Sequence, residues 1–271
     1  MHENILQWAI KTPLKQKGVI TGCSKNHEWM LPWWWMNYSL HNEYPVTFLD
    51  FGDMSPVAKQ WCQRKGQLVT LQIPTEDFVA NRGEVPREHG AVWETHLNLD
   101  TWLARLSWFK KPFACLQSPY ERTIWIDLDC QARQSITPIF KSCENALEMA
   151  MAEEPPLVLE DHRNRKLLLL DEMEYNSGVI VFNHGAALIQ DWARRCIELN
   201  NVLRGDQEVF SRMIYERKIA FSPMHPSFNW RAHLQPSFTP LIIHYLGNCK
   251  QFILQQMILF SKSASMDFSL M

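Results

Sequence analysis

Short apolar runs that alternate with longer segments constrain the fold of this chain more than any other feature. The first three runs are Gly18 to Cys23, Val46 to Asp50 and Gln67 to Leu71, each of a length typical of one buried strand. The segments between them, Glu28 to Leu40 and Ser55 to Lys65, have the length and composition of helices. Strands that alternate with helices usually pair in parallel, so the pattern predicts an α/β fold with a doubly wound sheet.

The middle of the chain continues this alternation. Asn81 to His89 is rich in charge and contains glycine and proline, which predicts a surface loop near the ligand end of the sheet. Trp93 to Trp108 has helical spacing, and Lys111 to Pro119 predicts a further short element. Ile124 to Asp127 predicts a fourth strand that ends beside Asp129. In open α/β sheets ligands bind outside the carboxyl ends of the strands, and the prediction puts both acids there.

The pattern changes after residue 155. We interpret Leu157 to Leu159 and Leu167 to Leu170 as short strands that flank a charged turn, followed by a strand at Val179 to Phe182. Two helices and a last strand complete the prediction, at Gly185 to Leu199, Asp206 to Arg217 and Leu241 to His244. We therefore expect a mixed, mainly parallel sheet flanked by helices, with an antiparallel C-terminal extension. We expect residues 1–252 to form a single domain and residues 253–271 a C-terminal tail or helix.

Composition narrows the class of partner. Hydrophobic residues make up 46% and charged residues 21% of the 271 residues, as in globular proteins. The formal net charge of −2 provides no general attraction for nucleic acid, so we expect no nucleic-acid partner. An anionic ligand would need local neutralisation, for which a cation held by carboxylates is suited.

The cysteines and the lengths of the apolar runs indicate the cellular compartment in which the protein is expected. The seven cysteines include no Cys-x-x-Cys pair, which favours reduced thiols in a cytoplasmic protein. The segment from Met1 to Lys17 lacks the continuous apolar stretch of a signal peptide. No run approaches the roughly 20 apolar residues that a membrane span needs.

Asp127 and Asp129 form the first candidate site. Residues two apart in an extended segment point the same way, so both carboxylates can face one ligand. Two hard oxygen donors suit Mg²⁺ or Mn²⁺. Taken alone, such a pair is more often a solvated turn at a strand end.

The segment from His244 to Lys250 forms the second candidate site. His244 follows an apolar strand, where a neutral imidazole could complete a metal shell, although a lone histidine is more often structural. Gly247 would let the backbone approach a phosphate closely, and Lys250 would supply a positive charge. Their combination is the most specific signal in the chain.

In these motifs the chain resembles the retaining GT-A glycosyltransferases, typified by glycogenin and the bacterial lipopolysaccharide galactosyltransferases. The resemblance spans roughly residues 18 to 252 and is carried by Ile126 to Asp129, Asn176 to Val179, Asp206 with Gln207, and His244 to Lys250. It implies a Rossmann-like GT-A fold and metal-dependent transfer of a hexose from a nucleotide diphosphate sugar to an acceptor hydroxyl, with retention of configuration.

The resemblance also implies roles for individual residues. Asp127, Asp129 and His244 would coordinate the cation, usually manganese, that bridges the diphosphate. Lys250 and the backbone of Gly247 would contact the diphosphate itself.

The donor sugar is expected at a second group of residues. By resemblance, Asn176, Asp206 and Gln207 surround the sugar, with Gln207 near its reactive face, and Lys111 reaches the sugar and pyrophosphate. In isolation, Asn176 could instead belong to a simple turn and Asp206 could cap a helix.

Two departures from the family pattern concern the nucleotide and the closure over it. Thr21 stands at the expected nucleotide pocket, but the strand end from Thr21 to Ser24 lacks the family's usual Asp. Gln251 and Phe252 follow Lys250 where the family commonly has Pro-Trp. The family default is uridine, which implies UDP-glucose, UDP-galactose or UDP-N-acetylglucosamine as donor and a glycan, lipid-linked or protein acceptor.

Two other functions remain open from the sequence. A catalytically inactive protein could bind a nucleotide-sugar or glycan without transferring it, although all three candidate metal ligands are present. A sugar nucleotidyltransferase is also α/β with a metal-binding Asp, but no glycine-rich basic loop follows the first strand.

Two aromatic or apolar segments have alternative interpretations. Phe252 to Phe260 could be an amphipathic helix on the protein core, an oligomer contact or a peripheral membrane contact, and its low positive charge favours the first two. Trp33, Trp34 and Trp35 could shape a sugar surface, but neighbouring residues on a helix face different directions, so at least one is expected in the core.

Overall fold

The computed structural model describes residues 7, 9–13, 15–75, 78–97 and 100–261, with the backbone alone described at residues 96, 97, 260 and 261. Residues 1–6, 8 and 14 of the segment from Met1 to Lys17, and residues 262–271 of the predicted tail, lie outside the described residues.

Nine strands form two sheets within the described residues. In chain order they are β1 (Lys15–Cys23), β2 (Val46–Asp50), β3 (Gln67–Thr70), β4 (Tyr120–Ile126), β5 (Cys130–Ala132), β6 (Met149–Glu153), β7 (Tyr175–Asn183), β8 (Trp230–Arg231) and β9 (Ile242–His244). The larger sheet has the order β3-β2-β1-β4-β7-β6, and β3, β2, β1 and β4 are parallel. β7 runs antiparallel to both β4 and β6. This confirms the predicted mixed, mainly parallel sheet.

The helices cover both faces of this sheet. They are α1 (Leu31–Ser39), α2 (Pro56–Lys65), α3 (Arg87–Leu97), α4 (Asp100–Trp108), α5 (Lys111–Leu116), α6 (Pro156–Asn164), α7 (Ala187–Leu199), α8 (Asp206–Glu216) and α9 (Lys250–Ser261). Side chains alternate along each strand, so Val19 of β1 packs into one core beside α1 and Ile20 into the other beside α5 and α7. The sheet is therefore buried on both sides, which agrees with its near-continuous apolar strands.

Proline and serine explain where α2 begins. The Ser55 hydroxyl accepts a hydrogen bond from the backbone N–H of Ala58 at 3.2 Å, which caps the helix. Pro56 occupies the first helical position, where a missing N–H costs nothing. Sequence and structure agree here to within one residue.

The region after residue 155 corrects the sequence prediction. Leu157 to Leu159 lies in helix α6, not in a strand, and Leu167 to Leu170 forms no strand. Pro155 and Pro156 suit a helix start, and Val158, Leu159 and His162 share the buried face at helical spacing. The antiparallel strand beside β7 is instead β6, which the sequence analysis did not predict.

Two smaller differences concern the middle of the chain. The predicted helix from Trp93 to Trp108 is two helices, α3 and α4, and residues 98 and 99 between them lie outside the described residues. The charged segment from Asn81 is a surface turn as predicted, but α3 already begins at Arg87.

The second sheet brings distant parts of the chain together. Its order is β5-β9-β8, with β5 antiparallel and β8 parallel to β9. Cys130 of β5 lies opposite His244 of β9. The last predicted strand therefore ends beside the Asp-x-Asp segment.

Helix α9 and the tryptophans of α1 pack on the core. Ile253 and Met257 are 0% and 1% exposed, and Trp33 Nε1 donates to Gln256 Oε1 at 2.9 Å. Trp33 and Trp34 are almost completely buried, which confirms that part of the tryptophan cluster belongs to the core. The predicted boundary at residue 252 falls inside α9.

Two further observations concern the cysteine thiols and the length of the helices. All seven cysteines are free thiols, and six of them are buried. Among the described helices, none combines the length and apolar character needed to cross a lipid bilayer.

Candidate active site

Asp127 and Asp129 stand at the carboxyl end of β4 and lead into β5. The Asp127 backbone N–H donates to Gly178 O at 2.8 Å, which ties this segment to β7. Trp125 Nε1 donates to Asp127 Oδ1 at 2.7 Å. Lys111 Nζ lies 3.1 Å from Asp127 Oδ2. The Asp127 carboxylate is thus held from two sides while remaining partly exposed.

His244 reaches the same place because β9 pairs with β5. The Tyr245 backbone N–H donates to Asp129 O at 2.8 Å, which extends that pairing by one residue. His244 Nε2 lies 3.1 Å from Asp129 Oδ1 and 3.9 Å from Asp127 Oδ2. Both carboxylates and the imidazole, predicted from separate motifs, therefore come together.

Gly178 leaves the space that the imidazole occupies. A Cβ atom on Gly178 would lie 2.1 Å from Cε1 and 2.4 Å from Nδ1 of His244, far inside van der Waals contact. The glycine of the Asn-Ser-Gly segment therefore serves the packing of His244. Asn176 to Gly178 lies in β7, so the interpretation as a simple turn is wrong.

The donor atoms here fit a hard divalent cation. His244 Nε2 is buried and forms no aligned hydrogen bond within the described part of the chain, although two carboxylates face it. An imidazole lone pair that faces carboxylate oxygens needs a proton or a cation between them. Sγ of Cys130 also lies within 4.8 Å of donor atoms of Asp129 and His244. Burial raises the pKa of this thiol well above its usual range, which leaves nitrogen and oxygen as ligands.

Lys250, at the start of α9, faces Asp129. Its Nζ lies 3.1 Å from Asp129 Oδ2. Burial alone would raise the pKa of Asp129, but Lys250 and His244 lower it far below the usual range. Asp129 in turn raises the pKa of Lys250. Both groups therefore stay charged at neutral pH.

Gly247 stands in the left-handed region of backbone conformation. Its φ is +54°, which favours glycine on conformational grounds, and no atom lies within 4 Å of a Cβ built there. The backbone at this residue lines the cavity described below.

Lys111, the first residue of α5, is almost completely buried. Its Nζ donates to Ser177 O at 3.0 Å and to Ser177 Oγ at 3.1 Å, and lies 3.7 Å from Asp206 Oδ2. Burial would lower the pKa of Lys111, but Asp127 and Asp206 raise it above its ordinary value. The ammonium therefore remains charged between the two acids.

Asp206 is the first residue of α8, and Gly205 occupies the cap position. The interpretation of Asp206 as a helix cap is therefore wrong. Its Oδ2 accepts a hydrogen bond from Ser177 Oγ at 2.9 Å. Burial raises the pKa of Asp206 to about 6, against the opposing effect of Lys111.

Two acids fix the orientation of the Gln207 amide. Its Nε2 donates to Glu174 Oε1 at 2.9 Å and to Glu154 Oε1 at 3.1 Å. Ionised carboxylates only accept hydrogen bonds, so the NH₂ group must face them. Gln207 Oε1 accepts from the Ser177 N–H at 3.2 Å. The side chain lines the cavity in this fixed orientation.

A cavity of about 620 Å³ joins these groups at the carboxyl edge of the sheet. The predicted residues that line it are Lys111, Asp127, Asp129, Asp206, Gln207, His244, Gly247 and Lys250. A smaller cavity of about 70 Å³ shares Lys111, Asp127, Asp129 and Lys250 with it. The two candidate sites predicted from the sequence, at the Asp-x-Asp segment and at His244 to Lys250, therefore lie in one continuous cleft.

Two predicted residues lie outside both cavities. Thr21 is 0% exposed inside β1, and the neighbouring Gly22 and Ser24 line the smaller cavity instead. Asn176 is 2% exposed and donates to Glu154 Oε1 at 2.6 Å. In this conformation neither side chain can contact a ligand in the cleft directly.

His27 and Ser24 line the smaller cavity. Ser24 Oγ and His27 Nδ1 form a hydrogen bond of 2.8 Å. Burial, with a smaller effect of Lys250, lowers the pKa of His27. The neutral ring and the hydroxyl offer polar groups without adding charge.

Known proteins match this chain in fold but not in sequence. No protein-family model matches this chain, and no curated protein sequence does. Solved structures do match. Galactosyltransferase LgtC, in complex with donor and acceptor sugar analogues, is 14% identical with a TM-score of 0.58, over 91% of this chain and 95% of LgtC. Mouse xyloside xylosyltransferase 1 is 15% identical with a TM-score of 0.53, over 87% of this chain and 98% of that enzyme.

A third structure extends the comparison to a longer protein. The glycosyltransferase GlyE of Streptococcus pneumoniae is 15% identical with a TM-score of 0.53, over 94% of this chain and 61% of GlyE. This chain has the GT-A glycosyltransferase fold. The mixed sheet of this chain, with parallel β3-β2-β1-β4 and antiparallel β7, is the part of the structure that these neighbours match in fold.

Several residues behind the cleft of this GT-A fold escaped the sequence analysis. Glu154 and Glu174 hold Gln207, Asn229 contacts His244 at 3.1 Å, and Arg231 pairs with Glu154. Glu154 follows the unpredicted strand β6, and Asn229 stands between short elements. No periodicity or spacing in the sequence marks either residue.

Proposed function

We propose that the protein is a metal-dependent glycosyltransferase that moves a hexose from a nucleotide diphosphate sugar to an acceptor hydroxyl. One observation carries the proposal: Asp127, Asp129 and His244 face one another at the carboxyl edge of a GT-A sheet. Lys250 and Lys111 flank this trio in the same cleft. A cation with two adjacent ammonium groups neutralises a diphosphate.

The shape of the cleft supports a direction for the donor. The nucleoside would extend toward the smaller cavity at Gly22, Ser24 and His27, and the diphosphate would lie between Lys250 and Lys111. The sugar would then enter the larger cavity beside Asp206 and Gln207. UDP-linked glucose, galactose or N-acetylglucosamine is the donor class that we propose, from the resemblance of the motifs.

Asp127, Asp129 and His244 would hold the cation, which when bound stabilises negative charge on the leaving diphosphate. The acceptor oxygen forms a bond to the anomeric carbon while the bond from that carbon to the diphosphate oxygen breaks. The acceptor proton passes to an oxygen of the leaving phosphate. Lys250 and Lys111 would supply positive charge along the diphosphate where charge develops.

We propose that transfer retains the anomeric configuration. The Gln207 carbonyl oxygen is oriented by Glu154 and Glu174 and can stabilise positive charge that develops on the sugar. Asp206 would hydrogen-bond sugar hydroxyls. An acceptor that attacks from the side of the leaving phosphate, which takes its proton, gives retention.

The acceptor, the location and the domain organisation complete the proposal. A glycan, lipid-linked or protein acceptor would enter between α4 and α6, where Ala104, Leu157 and Val158 line the cleft. We propose a cytoplasmic protein in which residues 1–252 belong to one domain, with the rest of α9 packed on its core. A peripheral membrane contact of α9 remains a secondary proposal.

A panel of nucleotide-sugars tests the proposal by thermal shift with Mn²⁺. A ligand that binds only the folded state raises its stability by RT ln(1 + [L]/Kd), or about 2.7 kcal/mol at 100 times Kd. We expect a UDP-sugar to shift the melting temperature only when Mn²⁺ is present. Slow release of free sugar, with the anomeric configuration followed by NMR, separates a transferase from a protein that only binds.

Lys250→Ala tests the diphosphate role, with the exposed Lys141→Ala as control. Loss of a hydrogen bond to a charged group costs about 1.5–3 kcal/mol, so donor affinity should fall at least tenfold. An unchanged donor dissociation constant in Lys250→Ala, or a shift by UDP-sugars in excess chelator equal to that with Mn²⁺, would contradict the proposal.

A further inference from the structure

A chain of buried side chains links His244 to Glu154. His244 Nδ1 lies 3.1 Å from Asn229 Oδ1, Asn229 Nδ2 lies 2.7 Å from Asn176 Oδ1, and Asn176 Nδ2 lies 2.6 Å from Glu154 Oε1. Asn229, Asn176 and Glu154 are 6%, 2% and 2% exposed. None of these three side chains lines the cleft. They can affect a ligand there only through residues that line the cleft, such as His244, Gln207 and Arg231.

The hydrogen bond between Asn176 and Glu154 can form in only one direction, because Glu154 is ionised and can only accept. Arg231 donates to both carboxylate oxygens, Nε at 2.6 Å from Oε2 and Nη2 to Oε1. Burial alone would raise the pKa of Glu154, but this guanidinium lowers it below the usual range. An ionised carboxylate only accepts, so Asn176 must present its NH₂ group to Glu154.

The orientation of Asn176 in turn fixes the orientation of the Asn229 amide. Asn176 Oδ1 is left to accept, and it does so from the Gly178 N–H at 2.9 Å and from Asn229 Nδ2. Asn229 Nδ2 also donates to Asn176 O at 3.2 Å, so Asn229 Oδ1 faces the histidine. An amide oxygen only accepts, so His244 Nδ1 must carry the hydrogen.

We propose that the chain Glu154–Asn176–Asn229 fixes the tautomer of His244, with Nδ1 protonated and the Nε2 lone pair directed at Asp127 and Asp129. Asn229 and Glu154 are thus positioning residues for the cation. This inference rests on the proposed function for the identity of the ligand, but not for the tautomer itself. Hydrogen bonds to the second ring nitrogen of metal-bound histidines generally tune affinity in this way.

The decisive measurement is the tautomer of His244 in the metal-free protein. Long-range ¹H–¹⁵N correlation NMR distinguishes the two neutral forms, and the His244→Gln spectrum identifies the signal. Without a cation, a proton can take its place on Nε2 beside Asp129. We therefore expect Nδ1 of the wild type to carry a hydrogen, in a neutral or a doubly protonated ring. Asn229→Leu removes the acceptor and should let the Nε2–H form appear, whereas Asn229→Asp retains an acceptor oxygen and should keep the Nδ1–H form.

Affinity for Mn²⁺ alone, measured by electron paramagnetic resonance without nucleotide, provides the second readout. Asn229→Leu should bind Mn²⁺ about 10- to 100-fold more weakly, the range typical for such partners of metal ligands. Asn229→Asp should bind within a few-fold of the wild type, which separates positioning from simple damage to the fold.

A matched pair of variants tests the hydrogen bond between Asn176 and Glu154. Arg231→Lys keeps a positive charge beside Glu154, so the carboxylate still accepts from Asn176. The double variant Glu154→Ala/Arg231→Lys also removes the acceptor. We expect the Nδ1–H form to persist in the first variant and to lose its dominance in the second.

Three results would overturn the inference: an Nε2–H wild type, an Asn229→Leu variant that keeps the Nδ1–H form, or equal tautomers in the matched pair. Because the NMR readout needs neither metal nor sugar, it stands even if no nucleotide-sugar is transferred. Failure of transfer with the expected tautomers would contradict the proposed function alone.

Discussion

The two walls of the cleft are built in opposite ways. The cation wall, formed by Lys111, Asp127, Asp129, His244 and Lys250, pairs each carboxylate with a lysine at 3.1 Å. The open wall is formed by Ala104, Leu157, Val158, His233 and Leu234 and offers mainly apolar surface.

The difference between the walls indicates which of them can distinguish one acceptor from another. Groups on the cation wall are oriented before any ligand arrives, which lowers the cost of binding a diphosphate common to all nucleotide-sugars. On the open wall Leu157 is 69% exposed, so its side chain is available to an acceptor. We therefore expect changes on the cation wall to affect the reaction itself, and changes on the open wall to affect the acceptor.

The largest effect is expected on the cation wall. Asp129→Ala and His244→Ala each remove a candidate ligand and should lower metal-dependent turnover by about 100-fold or more. The exposed Asp171→Ala, which lies outside the cleft, provides the control. Rates of sugar release at saturating donor, with and without Mn²⁺, measure the effect. If either ligand variant kept the wild-type rate, the prediction that the cation wall controls the reaction would be wrong.

The second prediction concerns Asp206, whose pKa of about 6 lies above the roughly 3.8 of an unfolded chain. A raised folded-state pKa stabilises the protein at low pH, and this contribution is lost as pH rises through about 6. Asp206→Asn cannot ionise, so its free energy of unfolding relative to the wild type should increase from pH 4 to pH 7, by up to about 3 kcal/mol.

Urea unfolding of the metal-free protein at several pH values measures this difference. Asp171→Asn, at an exposed position outside the cleft, is measured in parallel as the control. A flat difference for Asp206→Asn would mean that the buried acid is already ionised at pH 4 by Lys111.

The third prediction tests how tightly the cation wall is packed. Gly178→Ala would place a methyl group 2.1 Å from His244 Cε1, so the ring must move. Overpacking of this kind costs about 1–3 kcal/mol, and Mn²⁺ affinity should fall about tenfold. Gly90→Ala is the matched control, because its Cβ would lie 3.5 Å from Trp102 in ordinary contact. Equal Mn²⁺ affinities in the two variants would contradict a rigid cation wall.

The smallest effect on the donor is expected from the open wall. Leu157→Ser should leave the dissociation constant of the donor within about twofold, since an exposed side chain contributes little. The KM for an acceptor should change more than the donor constant does. Isothermal titration with the donor and initial rates with varied acceptor separate the two. A large loss of donor affinity would show that α6 contacts the nucleotide-sugar.

Much of the fold and most of the cation wall could be predicted from the sequence because both depend on local patterns. Apolar runs marked β1, β2 and β4, and their carboxyl ends located Asp127 and Asp129. The motif at His244 to Lys250 was found because a strand, a histidine, a glycine and a lysine occur together within a few residues. Local spacing suffices wherever one element supplies several groups.

The remaining groups depend on tertiary contacts that leave no local signature. Helix α6 resembled a strand because Leu157, Val158 and Leu159 are consecutive, and only burial reveals its helical face. Glu154 and Asn229 lie far apart in sequence and meet only through Asn176. An isolated acid or amide in a sequence looks like any surface residue, so their connection to His244 could not be predicted.

The pairing of β5 with β9 has a consequence for how the protein is made. Tyr245 Oη donates to Gln131 Oε1 across 114 residues of chain, and the imidazole next to that tyrosine arrives with the same strand. Contacts between such distant segments form late, since a long loop must close first. During synthesis the Asp-x-Asp segment therefore leaves the ribosome long before its histidine. Metal could accordingly be bound only after the chain has been made at least as far as His244.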